Sequence, residues 1–340
     1  MKKVIIIAEA GVNHNGDLKL AERLIEEASK AGADYVKFQT FKALNLVTSK
    51  AQKANYQKAD KASKPGESQL DMLQKLELDR DAHLHLIRHC KLHNIRFLST
   101  GFDLESLNML SDFGLELFKV PSGEITNLPL LMKIAGFGKP VLLSTGMANL
   151  KEIGEALDVI TSNGILLTDV TVLHCTTEYP APMDEVNLKA MFTIRDSFGV
   201  QIGYSDHTQG IEIPIAAVAL GARVIEKHFT LDRSLPGPDH KASIEPDELA
   251  EMVKSIRNVE LALGNGIKEP AKSELKNRIA ARKSIHLASD LMAGHTITLD
   301  DLAMKRPGDG ISPMQLGQIV GKTLKQDLPE NTQLTLDHLL

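Results

Sequence analysis

Two lysines and two histidines interrupt or finish apolar runs in ways that could do chemistry. Lys37 lies within Tyr35-Val36-Lys37-Phe38-Gln39-Thr40 and Lys119 within Phe118-Lys119-Val120. In an extended strand successive side chains alternate faces, so Lys37 and Gln39 leave on the face opposite Val36 and Phe38. Lysine is almost never buried unpaired. Two inward lysines therefore imply an internal ion pair, with Glu9 or Glu226 as partner, or a ligand bearing phosphate or carboxylate. The ligand is the preferred reading. His207 and His228 finish two later runs at matching heights. Two imidazoles on neighbouring strands can share a metal ion and leave positions open for water and substrate oxygens. Hydrogen-bonded site histidines are the alternative.

The elements that must position these groups are short β-rich runs alternating with amphipathic stretches. The strands are predicted at 4–9, 35–40, 96–100, 117–122, 141–145, 170–175, 201–206 and 224–229, with helices at 17–31, 80–93, 148–161 and 246–263. Eight strands, each followed by a helix, predict a closed (β/α)8 barrel of the TIM class rather than an open doubly wound sheet. The C-terminal strand ends of such a barrel share one mouth, and here they bring Glu9, Lys37, Gln39, Thr100, Lys119, Ser122, Ser144, Thr145, Thr176, Thr177, His207 and His228 together. The loop from Phe41 to Gln69 is long for its position and is a lid candidate or an insertion. His83, His85, His89 and His93 fall on an amphipathic helix, where solvent-facing positions account for them. Residues 1–265 are expected to form the barrel and the polar stretch 266–283 a linker. Residues 284–340, a tail of marginal stability alone, are expected to form a small domain of strands and turns that packs on the barrel or on a partner's barrel.

Composition excludes several classes. The chain has 340 residues, 43% hydrophobic and 24% charged, with a net charge of −5. That acidity argues against a nucleic-acid or membrane-surface partner, and the absence of tryptophan argues against a lectin-like sugar platform. The N-terminal apolar run stops at Glu9, too short for a signal peptide, and no segment reaches about 20 apolar residues. Cys90 and Cys175 then read as free thiols of a cytoplasmic protein. Neither GxGxxG, GxxxxGK[ST] nor GxSxG occurs, which disfavours nucleotide-binding and serine-hydrolase readings.

The ordered motifs AEAGVNHNG (8–16), VKFQTF (36–41), FKVPSGEITNLP (118–129), LSTGMA (143–148), HCTTEYPAP (174–182), GYSDHT (203–208), EKHFTLD (226–232) and GPDH (237–240) resemble the sialic acid (nonulosonic acid) synthase family. KRPGDGISP (305–313) resembles the signature of the antifreeze-like (SAF, β-clip) domain those enzymes carry. The resemblance implies condensation of phosphoenolpyruvate with an open-chain N-acetylated mannosamine-type sugar, with phosphate released by carbon–oxygen cleavage. It also implies a divalent metal on His207 and His228, manganese before magnesium or cobalt. Lys37, Gln39, Thr100, Lys119, Ser122 and Ser144 match the phosphoenolpyruvate-holding positions, and Glu124 matches the water-activating candidate. Glu9, Tyr179 and Asp239 match the sugar side. Arg306 matches the arginine that the SAF domain inserts into a neighbouring subunit's site, which implies a domain-swapped homodimer.

Two positions depart from the family pattern. Gly101 stands where proline is frequent, and Thr177 stands where several N-acetylneuraminate synthases have asparagine. The second, with CTTEYPAP and the following Asp184-Glu185-Val186-Asn187-Leu188, resembles members that make N,N'-diacetyllegionaminate from 2,4-diacetamido-2,4,6-trideoxymannose. N-acetylneuraminate from N-acetylmannosamine is the competing product. A metal-dependent pyruvate aldolase and an inactive sugar-binding scaffold are the more distant alternatives.

Overall fold

The computed structural model describes residues 3–53 and 67–340. The chain divides into two compact units, Met1–Gly264 and Asn265–Leu340.

The first unit has eight parallel strands: β1 (Ile5–Gly11), β2 (Tyr35–Thr40), β3 (Arg96–Gly101), β4 (Phe118–Val120), β5 (Val141–Ser144), β6 (Val170–His174), β7 (Gln201–Asp206) and β8 (Val224–His228). They pair in the order β3-β2-β1-β8-β7-β6-β5-β4, and β3 packs beside β4 to close a TIM barrel. The helices are α1 (Leu18–Lys30), α2 (Ala43–Leu46), α3 (Gln69–Gln74), α4 (Arg80–Leu92), α5 (Leu104–Asp112), α6 (Leu128–Ala135), α7 (Leu150–Ser162), α8 (Ala190–Phe198), α9 (Glu212–Ala219) and α10 (Pro246–Ala262). Their starts are written in side chains. Asp17, Asp79 and Asp103 accept backbone N–H groups at the heads of α1, α4 and α5, and Asn149 with Glu152 forms a reciprocal cap on α7. Outward strand residues such as Val36, Phe38 and Val172 are fully buried against the helices. Burial on both strand faces is why these runs lack a polar–apolar alternation except at the mouth.

The structure departs from the sequence-based elements at several points. β4 spans three residues rather than 117–122, because Pro121 has no N–H to donate and the chain turns into a 3-10 helix at Ser122–Glu124. His83 is not solvent-facing: it is fully buried. Its Nε2 lies 2.7 Å from Thr40 Oγ1 and its Nδ1 2.8 Å from the Asp79 carbonyl, and its ring stacks on Phe113. The long loop carries the short α2, and Phe41, Ala43, Leu73 and Leu76 form a separate small core with Val12. Residues 54–66 of the lid candidate lie outside the described residues. Cys90 and Cys175 are free and buried, and burial pushes the Cys90 thiol up to about 12. Among the described residues no helix is long and apolar enough to cross a membrane.

The second unit opens with α11 (Lys272–Ala281), whose residues are all exposed, within the stretch expected to be a linker. β9 (Ser284–Leu287) then pairs antiparallel with β10 (Leu302–Lys305). Isolated bridges and 3-10 turns gather Ile285, Leu287, Ile297, Ile319, Leu324 and Leu334 into a core of their own.

Candidate active site

The C-terminal strand ends surround a cavity of about 410 Å³. Glu9, Lys37, Gln39, Thr100, Lys119, Ser122, Glu124, Ser144, Thr177, Tyr179, His207, His228 and Asp239 all line it. Of the residues singled out from the sequence as site candidates, only Arg306 belongs to the second unit. It is exposed, and its Nε donates to the Ala281 carbonyl at 3.1 Å.

The two lysines share one carboxylate. Lys119 Nζ donates to Glu226 Oε1 at 3.0 Å, and Lys37 Nζ lies 3.5 Å from Glu226 Oε2. Lys37 Nζ also stands 2.8 Å from Glu9 Oε2 and donates to Thr100 Oγ1 at 2.9 Å. The internal ion pairs weighed against a ligand are thus present, with both glutamates. Ser205 Oγ donates to Glu226 Oε1 at 3.0 Å. Burial alone would raise the Glu226 carboxyl, but Lys119 and Lys37 overcome it and hold the group well below the usual range. For Lys37 burial is likewise outweighed, by Glu226 and Glu9, and its ammonium is kept charged. Glu9 differs: burial dominates and raises it to about 7, against the pull of Lys37. The mouth therefore holds Lys37 as a firm cation and Glu226 as a firm anion.

Two glycines make this geometry possible. Gly11 sits at φ 52° beyond a register shift in β1, and a Cβ there would meet Glu9 Oε1 at 3.3 Å and Gln39 Nε2 at 3.4 Å. Gly146 follows β5, and a Cβ would come within 2.0 Å of Thr177 Oγ1 and 2.9 Å of Ser122 Oγ. Its N–H donates to that same Ser122 oxygen at 3.0 Å.

On the other side, Asp206 of β7 faces Lys227 of β8 in register, so His207 and His228 follow at one height, with ring centres 5.6 Å apart. His207 Nδ1 donates to the Thr176 carbonyl at 2.6 Å, which leaves Nε2 with a free lone pair. His228 Nδ1 is buried without a hydrogen-bond partner, 3.7 Å from Asp239 Oδ2. Burial lowers His207 to about 4 and His228 well below its ordinary value, so both rings are neutral near pH 7. Burial raises Asp239 to about 6. Two neutral imidazoles, an orphaned ring nitrogen and a nearby carboxyl are a donor set that fits a divalent cation with open positions. Tyr179 packs its ring 4.1 Å from that of His207.

Residues 24–268 match the model of the NeuB family, and residues 282–340 match the SAF domain. The chain belongs to the NeuB family. With it, the protein is a phosphoenolpyruvate-dependent condensing transferase of the sialic acid synthase group. It is 57% identical over 331 residues to the N,N'-diacetyllegionaminic acid synthase of Campylobacter jejuni, covering 96% of this chain and 98% of that one. Identity to the protein of the same name from Legionella pneumophila is 48% over 336 residues, covering 98% and 94%. Among solved structures, the sialic acid synthetase of Leptospira borgpetersenii is 38% identical with a TM-score of 0.71, over 81% of this chain and 90% of that one.

Sequence reasoning named Glu226 as an ion-pair partner for the lysines, and its alternation with His228 places it on the inner face, but it left other members of this NeuB-family mouth unassigned. Ser205 is in register with Glu226 across β7 and β8. Leu46, Val47, Met72 and Leu73, on either side of residues 54–66, also line the cavity. No local pattern marks them, because they reach the mouth only through the packing of α2 and α3 on Val12.

Proposed function

We propose that the chain condenses phosphoenolpyruvate with open-chain 2,4-diacetamido-2,4,6-trideoxymannose to give N,N'-diacetyllegionaminate and inorganic phosphate. The observation that carries the reading is the buried Lys37–Glu226–Lys119 arrangement. The two ammonium groups, with the hydroxyls of Thr100, Ser122 and Ser144 lining the same cavity, suit a small ligand bearing phosphate and carboxylate together. The sugar is read from the relatives named diacetyllegionaminic acid synthases.

In this reaction C3 of phosphoenolpyruvate bonds to the sugar's aldehyde carbon, and the aldehyde oxygen takes a proton to become a hydroxyl. Water adds to C2 and gives up a proton. The tetrahedral intermediate then collapses to the ketone as its C–O bond to phosphate breaks. Lys37, Gln39, Thr100, Lys119, Ser122 and Ser144 hold phosphoenolpyruvate. Glu124, which accepts from Asn127 Nδ2 at 2.5 Å, takes the proton from the attacking water. Glu9, Thr177, Tyr179 and Asp239 line the sugar side. His207 and His228 hold the divalent ion, manganese in this reading, which when bound supplies Lewis-acid polarisation of a carbonyl oxygen. The working form is a cytoplasmic homodimer in which Arg306 serves the partner's site.

The test is a phosphate-release assay with manganese, phosphoenolpyruvate and either the diacetamido sugar or N-acetylmannosamine. Phosphate should appear one-for-one with product, and turnover should favour the diacetamido sugar by about 100-fold, the discrimination expected of a few pocket contacts. Preference for N-acetylmannosamine overturns the sugar assignment. Carbon–carbon bond formation from pyruvate, without phosphate, overturns the chemistry.

A further inference from the structure

A second group of histidines lies on the outside of the barrel. α4 carries His85 and His89, and its cap is His93, one helical turn apart along one stripe. That stripe faces Glu22 and Glu26 of α1. His85 Nε2 lies 2.5 Å from Glu22 Oε1, His89 Nε2 3.4 Å from Glu26 Oε1, and His93 Nε2 4.0 Å from the same oxygen. The rings of His89 and His93 are 4.5 Å apart.

Among the described residues, Glu26, His89 and His93 are the only three His, Cys, Asp or Glu side chains whose ligating atoms all come within 4.8 Å of one another. Tetrahedral zinc with bonds of 2.0–2.1 Å needs donors about 3.3 Å apart, a contraction that small rotamer adjustments supply. An independent observation also points to a ligand. His89 Nε2 is buried and takes no hydrogen bond, although a carboxylate stands 3.4 Å away. A buried ring nitrogen without a partner is costly unless something fills its lone pair. α4 ends here: His89 lies in its last turn and His93 is its cap. The partial negative charge of that helix C-terminus favours a cation at this spot. Each helix ends just before the next strand begins, so the cluster sits at the end of the barrel opposite the mouth.

We propose that Glu26, His89 and His93 bind a zinc ion, with water in the fourth position, as a clamp between α1 and α4. Two imidazoles and one carboxylate suit zinc among the divalent ions. The site is independent of the substrate reading above.

The test compares the full-length protein with the His89→Gln/His93→Gln double variant, both stripped of metal and titrated with zinc chloride. Glutamine keeps helix propensity and polarity. Wild type should take up one equivalent of zinc more than the variant, whatever the mouth binds, because the mouth is common to both. Zinc should slow amide hydrogen exchange in peptides spanning 80–93 at least about 10-fold in wild type and leave the variant unchanged, as expected when a ligand holds a local opening shut. Glu26→Gln, which alters α1 instead, should lose the same equivalent. Equal zinc uptake by wild type and both variants, or slowed exchange in all three, would overturn the site.

Discussion

Lys227 Nζ lies 2.5 Å from Asp206 Oδ2, and neither side chain reaches solvent. Each immediately precedes a mouth histidine, and the two face each other in register across β7 and β8. Alternation sends this ion pair toward the helices and both imidazoles into the mouth. Thr208 completes the arrangement, donating its N–H and hydroxyl to Asp206 and accepting from Lys227 through its carbonyl. Removing one member of a buried pair leaves the other uncompensated. Lys227→Met should therefore lower unfolding stability by about 3–5 kcal/mol in urea titrations. Pairing it with Asp206→Leu should recover much of that loss. A single variant within about 1 kcal/mol of wild type would show that the pair is not holding the strands.

His228→Ala should reduce turnover by at least about 100-fold while the circular dichroism spectrum stays native, since a metal left with one imidazole is poorly held. Exhaustive chelation of the unaltered protein should do the same, with activity restored by manganese. Full activity after chelation would remove the metal from the reaction.

Gly146→Ala probes the packing between Ser122 and Thr177. The added methyl has no room beside Thr177 Oγ1, so one hydroxyl must move, at about 1–3 kcal/mol. KM for phosphoenolpyruvate should rise about 10-fold, with kcat less affected. An unchanged KM would mean that Ser122 does not touch that substrate.

Arg306→Ala is expected to impair use of the sugar. Mixed with an inactive His228→Ala partner, it should regain part of its activity through hybrid dimers that contain one intact site. If subunit exchange is demonstrated by mass and no activity returns, the shared site is wrong.

Acid should loosen the second unit through Asp301. This carboxylate accepts from His295 Nε2 at 2.9 Å and from the Thr298 N–H and hydroxyl at 2.8 Å each. The His295 contact is the largest cause of a pKa lowered to about 2. The folded state thus keeps the charge to lower pH than the unfolded chain, whose carboxyl titrates near 3.8. The resulting stability, about 1–2 kcal/mol, is complete above that value and is lost as pH falls from about 4 to about 2. The second unit contains no Trp, Tyr or Phe, so amide exchange in β9 and β10 is the measurement. Asp301→Asn should be less protected at pH 5 and less sensitive to acid. Parallel acid profiles would discount the carboxylate.

The barrel was legible because each strand is a short β-branched run bounded by a polar end, and the mouth because those ends carry Lys, Glu, His and Ser in alternation. What was not legible depends on more than one element. His83 looks like one of four surface histidines on a single helix, yet its position turns it inward between Phe97 and Phe113. The approach of Glu26 to His89 and His93 requires two helices to pack side by side. The sharing of Glu226 by two lysines needs three strands to close on one another. β4 was overextended because Phe118–Val120 runs into Pro121-Ser122 without a change of hydropathy, and only the missing proline N–H ends it.

Glu226 has a further consequence for how the cycle turns over. Because it stands between Lys37 and Lys119, neither ammonium faces the mouth without a partner, and the two are already neutralised in part. A ligand enters by sharing those lysines with a resident competitor. When the proposed phosphate is cut loose, that competitor is still in place to take the lysines back. A fixed carboxylate between the two ammonium groups therefore weakens the grip of the mouth on any anion, product as well as substrate.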